Sequence, residues 1–522
     1  MSTRIVVVGG GTAGARLAQR LPVTLLGEEP HAPYNRVLLA DVLAGRYAPE
    51  VIALPGTREP VRLGVRAVRI DRAARTVACA DGSLVAYDRL VLATGSNPVL
   101  PPLRGLRGAA LPSGVHPFRT LDDCLELRAL VRPGVRAVVI GGGLLGVSAA
   151  RALASLGADV VLTQQGERLM ERQLDEQASA LLREHVEALG VEVHTECRVS
   201  GLRQRDGAVT AVELADGFVL DAQVVVLACG VRPRVALARE AGLEVATGIV
   251  VDDALRTSDP YIHAIGDCAE HAGRVYGLAG PALDQADALT ELLLAETTAA
   301  GAPAHPPCGQ SSRGAGRTGT RDGAPAGASG PGADPHHEDG AVGPGVQARE
   351  SGPGKGRRSA APALPRALGS AGAGGTPLAP AERPSTTGAR AGTAPAGAPT
   401  TGVGAPAGAA GGPATADAAR TAPAPYTGTR ALTRLTLGGP KPFDLAAFGE
   451  VTARPGDDVV QLTDATRSAY RKVVVRGDRL VGGVLLGDLA AVGALARAWE
   501  GDEALPDEAP LLHLLTHDGG SS

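Results

Sequence analysis

The sequence predicts an α/β fold with two βαβ units, a long linker without regular structure, and a small α/β domain near the C-terminal end. The two units are predicted because an apolar β-branched strand, a G-x-G-x-x-G segment and a helical pattern follow one another near residue 5 and again near residue 137. The linker is predicted because residues 300–425 are rich in Gly, Ala, Pro, Thr, Ser and Arg and hold almost no large apolar side chains.

The size and composition of the chain exclude several classes of protein. At 522 residues it is long enough for about three or four domains. A net charge of −4 and an aromatic content of 2% argue against a nucleic-acid partner. No apolar run approaches the roughly 18 residues that span a membrane, and the first strand starts so early that we expect no signal peptide. The six cysteines show no C-x-x-C pair and no zinc spacing, which indicates reduced thiols in a cytoplasmic protein without a metal site.

The first βαβ unit is predicted to bind a dinucleotide. The strand Ile5–Val8 leads into Gly9, Gly11 and Gly14, and a helical pattern follows. One glycine allows a tight turn, one lets the backbone approach a pyrophosphate, and one lets the helix pack closely on the strand. The helix N-terminus adds free N–H groups and a partial positive charge for the phosphates. A glycine-rich turn without a ligand is the alternative interpretation.

Acidic residues follow the second predicted strand, Pro22–Leu26, at the place where such a unit binds a ribose. Glu28 is the first candidate for this hydrogen bond and Glu29 the second, and a solvated loop charge is the alternative. In the loop that follows, Arg36 is placed to neutralise a phosphate or to contact a ribose edge.

The predicted strand Arg89–Ala93 follows a small segment of short β-strands. It ends in Thr94 and Gly95, where the chain can pass close to a bound cofactor. Residues 98–117 are rich in Pro and Gly and are predicted to be a crossover linker. A helix over 121–131 is predicted to follow.

The second βαβ unit repeats the pattern of the first. The strand Ala137–Ile140 is followed by Gly141, Gly143 and Gly146 and by a helix. Because chance rarely supplies two such segments in the right context, we expect two dinucleotide sites. The rest of the unit is predicted as a strand over 159–162, a helix over 175–189, a β-meander over 208–220 and a strand over 224–228.

A short apolar strand before Gly266 and Asp267 is predicted to deliver both residues to the start of a helix. An aspartate there can accept hydrogen bonds from a polyol chain, with helix N–H groups pointing the same way. The alternative, a helix N-cap, is compatible with that role.

Residues 300–425 cannot bury enough apolar surface to offset their ordering entropy, so they are predicted to be disordered. As a flexible coil of ~125 residues they would average roughly 60 Å end to end. Such a segment would suit the role of a tether or of an interaction tail. Globular composition returns at Tyr426, with strands predicted over 431–437, 459–462, 470–476 and 479–486 and a helix over 489–499.

Several motifs together resemble the pyridine nucleotide–disulfide oxidoreductase-fold flavoproteins. They are the two glycine segments, Thr94-Gly95, Cys229–Pro233 and Ile265–Ala269. Within that group the chain is most similar to the FAD/NAD(P)H module of NADH-dependent nitrite reductase large subunits and assimilatory nitrate reductase electron-transfer subunits, with rubredoxin and ferredoxin reductases next. The finer resemblance lies in Glu28–Pro30, Pro33–Arg36, Gly141–Gly146, Leu169–Asp175, Arg471–Val475 and Leu485–Asp488.

The resemblance implies two Rossmann-like dinucleotide-binding domains of the glutathione reductase type, with the NAD(P) domain inserted in the FAD domain. The implied limits are 1–110 and 241–299 for the FAD-binding domain, 111–240 for the NAD(P)H-binding domain, 300–425 for the disordered linker and 426–515 for the C-terminal α/β domain.

The resemblance also implies the cofactors, FAD and NADH or NADPH, and their sites. The residues implied for FAD are Gly9, Gly11, Thr12, Ala13, Gly14, Glu28, Glu29, Arg36, Val68, Ala93, Thr94, Gly95, Gly266 and Asp267, with Asp267 on the ribityl chain. Those implied for NAD(P) are Gly141, Gly143, Leu144, Leu145, Gly146, Gln164 and Gly230. Hydride would pass from nicotinamide to flavin, so no acid–base residue is required and none is named as catalytic.

The implied partner is a small redox protein or the catalytic subunit of a nitrite or nitrate reductase, and an oligomer is compatible with the family. Since residues 28–45 contain no cysteine, a thiol mechanism is not expected. The cysteine clusters for iron–sulfur and sirohaem groups are also missing, so another chain would have to reduce nitrite. An NAD(P)H oxidase that uses oxygen and a non-catalytic flavin-bound sensor or scaffold are the alternatives.

The chain departs from its relatives at two places. Many relatives have an acidic residue after the second strand of the NAD unit, where this chain has Thr163, Gln164 and Gln165, so the sequence predicts no preference for NADH. Ferredoxin-reductase-like relatives have a lysine aligned with Asp41 and a glutamate aligned with Ser148, so we expect an ion pair beside the flavin to be lost.

Overall fold

The computed structural model describes residues 3–300 except 107 and 109, and residues 424–505 except 439–441, 465 and 503, together with residue 515. The side chains of residues 297–300 are not described. Most of the predicted linker, residues 301–423, lies outside the described residues. The chain divides into two units, Met1–His305 with Ala419–Ser522 and Pro306–Ala418, and all that follows concerns the first unit.

The described residues form 24 strands and eight helices. Up to residue 98 they are β1 Ile5–Val8, α1 Thr12–Arg20, β2 Thr24–Leu26, α2 Leu39–Leu43, β3 Ala67–Asp71, β4 Thr76–Cys79, β5 Leu84–Ala86, β6 Arg89–Leu92 and β7 Ser96–Pro98. The next are β8 Val115–Pro117, α3 Leu121–Leu130, β9 Arg136–Ile140, α4 Leu144–Ser155, β10 Asp159–Thr163, α5 Glu176–Ala188, β11 Val191–His194, β12 Val199–Arg205, β13 Ala208–Leu214, β14 Val219–Asp221, β15 Val224–Leu227, β16 Val231–Pro233 and α6 Ala236–Glu240. The last are β17 Ile249–Val251, β18 Ile262–Ala264, β19 Ala269–His271, α7 Ala279–Ala300, β20 Leu432–Leu437, β21 Phe443–Gly449, β22 Asp458–Asp464, β23 Ala469–Arg476, β24 Arg479–Leu486 and α8 Val492–Gly501.

The first parallel sheet has the strand order β18-β6-β1-β2. Every residue of β1 is buried, as expected for a strand covered on both faces. Strand β18 pairs with β6, and Ile262 lies opposite Leu90. The chain therefore leaves this sheet after β6 and returns to it much later, which is the discontinuous arrangement that the resemblance implies. The domain limits themselves stay a prediction.

The second parallel sheet has the strand order β11-β10-β9-β15-β8 and carries the second glycine segment. Helices α3, α4 and α5 share one core with it, which includes Val139, Leu153 and Leu182. The antiparallel sheet β12-β13-β14 packs against other residues of β9 and β15 in a separate core. The predicted meander is thus a three-stranded sheet over residues 199–221.

The prediction that residues 98–117 are a linker is wrong at both ends. Strand β7 ends at Pro98 and pairs antiparallel with β16, and β8 begins at Val115 and joins the second parallel sheet. Both strands are only three residues long, and Pro98 and Pro117 give them the composition of a loop. Tertiary pairing therefore decides the structure of these two short segments.

The C-terminal domain is a five-stranded antiparallel sheet, β20-β21-β24-β23-β22, with helix α8 packed beside it. The sequence analysis missed β21, whose central Ala446 and Ala447 weaken the strand pattern. Side chains that include Leu445, Tyr470 and Val484 belong to the same core as the second parallel sheet. The domain is further held by Asp175, the N-cap of α5, which accepts hydrogen bonds from Tyr470 and Lys472 at 2.6 and 2.8 Å. No helix in the described part of the chain has the length and apolar character needed to cross a bilayer.

His263, in β18, should make the fold sensitive to acid. Its side chain is buried, and burial is the main cause that lowers its pKa to about 4, from an ordinary value near 6.5. Because the unfolded chain binds the proton more readily, stability present above pH 6.5 is lost as the pH falls toward 4. We expect the free energy of unfolding to drop by about 2 kcal/mol between pH 7 and pH 4.5 from this residue alone.

Urea unfolding at the two pH values measures this drop. His263→Gln removes the titrating group and should make the loss smaller by that amount, whereas His194→Gln on the partly exposed end of β11 should leave it unchanged. An equal loss in His263→Gln and the unsubstituted chain would contradict the assignment.

Candidate functional site

The two glycine segments adopt the same local structure. Gly9 and Gly141 have φ values of +119° and +112°, which side chains rarely tolerate. A Cβ at either position would overlap a carbonyl oxygen of the adjoining strand end, at Ala93 and Ala228 respectively. Each loop therefore passes tightly against the strand beside it, at the end of β6 or of β15.

The remaining glycines of each segment divide into two kinds. A Cβ on Gly14 or on Gly146 would overlap the carbonyl oxygen of the first glycine of its own loop, so these residues let the helix pack on the loop. A Cβ on Gly11 or on Gly143 would have no atom within 4 Å. Both of these are the N-caps of their helices, and no side chain caps either helix, so their first N–H groups are open to an anion.

Both loops open onto one cleft of about 1060 Å³. The cleft is lined by most of the residues that the sequence assigned to cofactors and also by Arg434 and Leu435 of β20. The assigned residues in the lining are Gly11, Thr12, Ala13, Arg36, Ala93, Gly95, Gly266 and Asp267 for FAD, and Gly141, Gly143, Leu144, Leu145, Gln164 and Gly230 for NAD(P). Two segments more than 100 residues apart in sequence thus share one cavity.

The other assigned residues lie outside this lining. They are Gly9, Gly14, Glu28, Glu29, Val68, Thr94 and Gly146. The three glycines lie behind the loops, as their close backbone contacts require. The hydroxyl of Thr94 donates to the Arg234 carbonyl at 2.8 Å. Val68 lies on the small antiparallel sheet β3-β4-β5 with 40% of its surface exposed, and the structure does not bring it to the cleft.

The two glutamates proposed for a ribose have different surroundings. Glu29 forms an ion pair with Arg36 and accepts a 2.6 Å hydrogen bond from the Tyr34 hydroxyl. Its carboxylate is therefore used within the protein. Glu28 pairs with Arg234, and both side chains are 42% exposed, so the Glu28 carboxylate is the one a ribose could reach. This favours Glu28 over Glu29, in the order that the sequence suggested.

Asp267 does not start an α-helix, and the N-cap interpretation is wrong. It lies inside a single 3-10 turn, Gly266–Cys268, whose N-cap is Ile265, and the α-helix begins only at Ala279. A three-residue turn has little dipole, so charge stabilisation must come from side chains. These are Arg119 and Ser96, which the sequence analysis missed.

The cluster of Asp267, Arg119 and Ser96 is compact and largely buried. Arg119 Nη2 and Ser96 Oγ donate to Asp267 Oδ2 at 2.6 and 2.9 Å, and the charged side chains are 18% and 15% exposed. Within the described residues Asp267 Oδ1 has no protein donor, so this oxygen is available to a hydroxyl group of a ligand. The nearest sequence signal was the basic residue at 119, just before α3.

Asp41, one of the two positions at which the chain departs from its relatives, forms an ion pair with a residue other than Ser148. Asp41 Oδ1 accepts from Arg151 Nη2 at 2.8 Å, which joins α2 to α4. Arg151 lies three positions after Ser148, whose hydroxyl donates to the Leu144 carbonyl instead. The pair joins Asp41 to a residue three positions beyond Ser148, and neither Asp41 nor Arg151 lines the cleft, so the expected loss of an ion pair beside the flavin stays a prediction.

Two cysteines line the cleft although none was assigned to it. They are Cys229 and Cys197, and both are free. Burial raises the pKa of the Cys229 thiol to about 11 and also raises the pKa of Cys197. Both are therefore protonated near neutral pH, which does not suit a nucleophilic thiolate.

Comparison with known proteins agrees with this geometry. The family profile described as pyridine nucleotide-disulphide oxidoreductase matches residues 3–286, and that of the rubredoxin NAD+ reductase C-terminal domain matches residues 442–500. Proteins of the first family use FAD and NAD(P)H. The paired loops, with their uncapped helices, fit two such dinucleotides.

Among curated relatives, the assimilatory nitrate reductase electron transfer subunit of Bacillus subtilis is 36% identical over 303 residues, 55% of this chain and 38% of that protein. The chain thus spans less than half the length of that relative. The rubredoxin-NAD(+) reductase of Pseudomonas putida is 35% identical over 281 residues, 51% of this chain and 71% of that protein.

Among solved structures, a covalent putidaredoxin reductase–putidaredoxin complex is similar with a TM-score of 0.66 and 20% identity, and the match covers 98% of each chain. This likeness concerns the fold alone. The profile match over residues 3–286 spans more than half of the chain and includes both glycine loops. The chain belongs to the pyridine nucleotide-disulphide oxidoreductase family.

Proposed function

We propose that this chain is a flavoprotein reductase that takes electrons from NADH or NADPH into FAD and passes them to a partner redox protein. The observation that carries the proposal is the single cleft onto which both glycine loops open. If the two dinucleotide sites were in separate cavities, each could bind its cofactor but no hydride could pass between them. A shared cavity allows the two cofactors to come into contact. Bringing reactants together in a fixed geometry is the main contribution a protein makes to such a reaction.

The side chains around each loop support a particular assignment. Gly266, which precedes Asp267, lies against Ala13 of the first loop's helix, and the polar cluster of Asp267 and Arg119 suits the polyol chain of FAD. Glu28 is the proposed ribose ligand there. The second loop has Leu144 and Leu145 at its helix start and leads to β10, as in a unit for NAD(P)H. Bound FAD would supply the redox chemistry, and the residues of the chain would hold and orient the two cofactors.

The proposed partner is a small redox protein or the catalytic subunit of a nitrite or nitrate reductase. Two relatives support it by their names, one an electron transfer subunit of nitrate reductase and the other a reductase of rubredoxin. We also propose that the protein works in the cytoplasm, which the free cysteines of the described residues support.

The proposal is tested with the purified full-length chain under anaerobic conditions. We expect a yellow protein whose flavin absorbance bleaches on addition of NADH or NADPH and returns when oxidised rubredoxin or ferredoxin is added. Flavin that neither nucleotide bleaches would refute the reductase function and favour a sensor or scaffold. In a separate aerobic assay, NAD(P)H oxidation by oxygen that is at least as fast as the reduction of rubredoxin and ferredoxin would favour an oxidase.

Asp267→Ala should lower the amount of FAD that remains bound through purification. The substitution removes the acceptor proposed for the ribityl chain and leaves the Arg119 guanidinium without its acid. The measurement is the ratio of flavin to protein absorbance after gel filtration. Ser96→Ala removes one hydrogen bond to the same carboxylate and should retain most of the flavin. An unchanged ratio in Asp267→Ala would show that the residue does not hold FAD.

A further inference from the structure

The strand β10 ends without a carboxylate, although the end of this strand is where a βαβ unit contacts the adenosine ribose. The two residues that follow are Gln164 and Gln165. Gln164 Oε1 accepts a 2.8 Å hydrogen bond from the Gly142 N–H, so this side chain supports the glycine loop. The position that usually selects the nicotinamide cofactor is therefore used for a different purpose.

A turn just after β10 returns to the same glycine loop. The Met170 N–H donates to the Gly142 carbonyl at 2.9 Å, and the Met170 carbonyl accepts from the N–H groups of Gln173 and Leu174 at 2.8 and 3.0 Å. Met170 has a φ of +50°, an uncommon value for a residue with a side chain, and its side chain is buried. These backbone hydrogen bonds therefore fix the position of the next residue, Glu171, relative to the glycine loop.

The Glu171 carboxylate lies against Gly166, three positions beyond the end of β10. A Cβ built on Gly166 would overlap this carboxylate, with Oε1 only 2.7 Å away. Both residues line the cleft together with Gly141–Gly143. Among the ion pairs of the described residues, none includes Glu171. A carboxylate without an ionic partner thus lies in the cleft beside Gly166, shortly after the end of β10.

We propose that Glu171 binds the adenosine ribose of the nicotinamide cofactor and selects NADH over NADPH. An ionised carboxylate accepts hydrogen bonds from the two ribose hydroxyls and repels a phosphate at the 2′ position. Arg172 also lines the cleft and would attract such a phosphate, but the carboxylate of Glu171 is the group placed against Gly166. The inference rests on the proposed function, since it takes the second loop as the NAD(P)H site.

The test uses the flavin-loaded full chain and two fragments that cannot react, ADP-ribose and 2′-phospho-ADP-ribose. Isothermal titration calorimetry gives a Kd for each. We expect the unsubstituted chain to bind ADP-ribose on the order of 10- to 100-fold more tightly than its 2′-phosphate. Glu171→Gln removes the charge with little change of shape, and this ratio should fall to about threefold or less.

Glu167→Gln is the matched control, because Glu167 is exposed on the same turn but does not line the cleft. It should keep the ratio of the unsubstituted chain. The proposal is overturned if Glu171→Gln keeps that ratio, if Glu167→Gln lowers it equally, or if the unsubstituted chain prefers the 2′-phosphate. If neither fragment binds, the nicotinamide site itself is wrong and the proposed function fails with it, an outcome distinct from binding without discrimination.

Discussion

Gly11→Ala should give a folded protein without flavin, and Gly143→Ala should give a yellow protein that neither NADH nor NADPH bleaches. Each substitution adds one methyl group at the place where the backbone faces open space in the cleft. A pyrophosphate that lies against the glycine would clash with this methyl group. The pair therefore tests which loop holds which cofactor.

Neither substitution should disturb the fold. Gly11 has φ −75° and ψ −172°, and Gly143 has φ −79° and ψ −175°, both ordinary extended backbone for alanine. Apart from the glycine itself and the residues adjoining it in the chain, no described atom lies within 4 Å of either added Cβ. Circular dichroism checks the fold, the flavin-to-protein absorbance ratio checks FAD, and anaerobic titration checks the nucleotide. If Gly143→Ala lost the flavin and Gly11→Ala lost only the bleaching, the two cofactors would be assigned to the opposite loops. If both variants bound FAD and were bleached normally, neither loop would bind a cofactor.

Asp41→Ala should lower the free energy of unfolding by about 3–5 kcal/mol, the range for a buried charge that loses its partner. The partner is Arg151, which is only 4% exposed and whose Nε already has no hydrogen-bond acceptor within the described residues. The exposed neighbour Arg46 also contacts Asp41, at 3.3 Å. Arg46→Ala should therefore cost less than about 1 kcal/mol.

A double substitution separates the charge effect from a general loss of packing. Asp41→Leu with Arg151→Met removes both charges and fills the space with apolar atoms, so it should recover most of the stability lost in Asp41→Ala. Urea unfolding of the three variants and of the unsubstituted chain at pH 7 gives the comparison. A double variant no more stable than Asp41→Ala would contradict the view that an uncompensated guanidinium causes the loss.

The sequence predicts those parts of the fold whose cause is local. The spacing of Gly9, Gly11 and Gly14 predicts a tight turn, a helix packed on the loop and room for a pyrophosphate. The turn and the helix contact appear in the structure, and the space beside Gly11 is open. The same holds for the buried strand β1, whose four β-branched residues indicate a covered strand. In such segments, the residues that determine the local structure lie within the segment itself.

The sequence does not predict contacts between distant side chains. Arg119 lies 148 positions from Asp267, and no periodicity or spacing links the two residues. Asp41 and Arg151 lie 110 positions apart, and alignment to relatives with the opposite charges concealed their pairing. The sequence analysis did not single out Glu171 for a similar reason, because its proposed role depends on a turn that returns to Gly142. Only the three-dimensional arrangement reveals these partners.

The late pairing of β18 with β6 has a consequence for synthesis on the ribosome. Until Ile262 has been translated, the β6 edge formed by the apolar residues Leu90–Leu92 has no neighbour. At about 5–20 residues per second, this apolar edge is left without its partner strand for roughly 10–35 s. An unpaired apolar strand edge is a site for aggregation, so this edge of the nascent chain is open to wrong pairing during this interval. All five strands of the second parallel sheet are translated within that time.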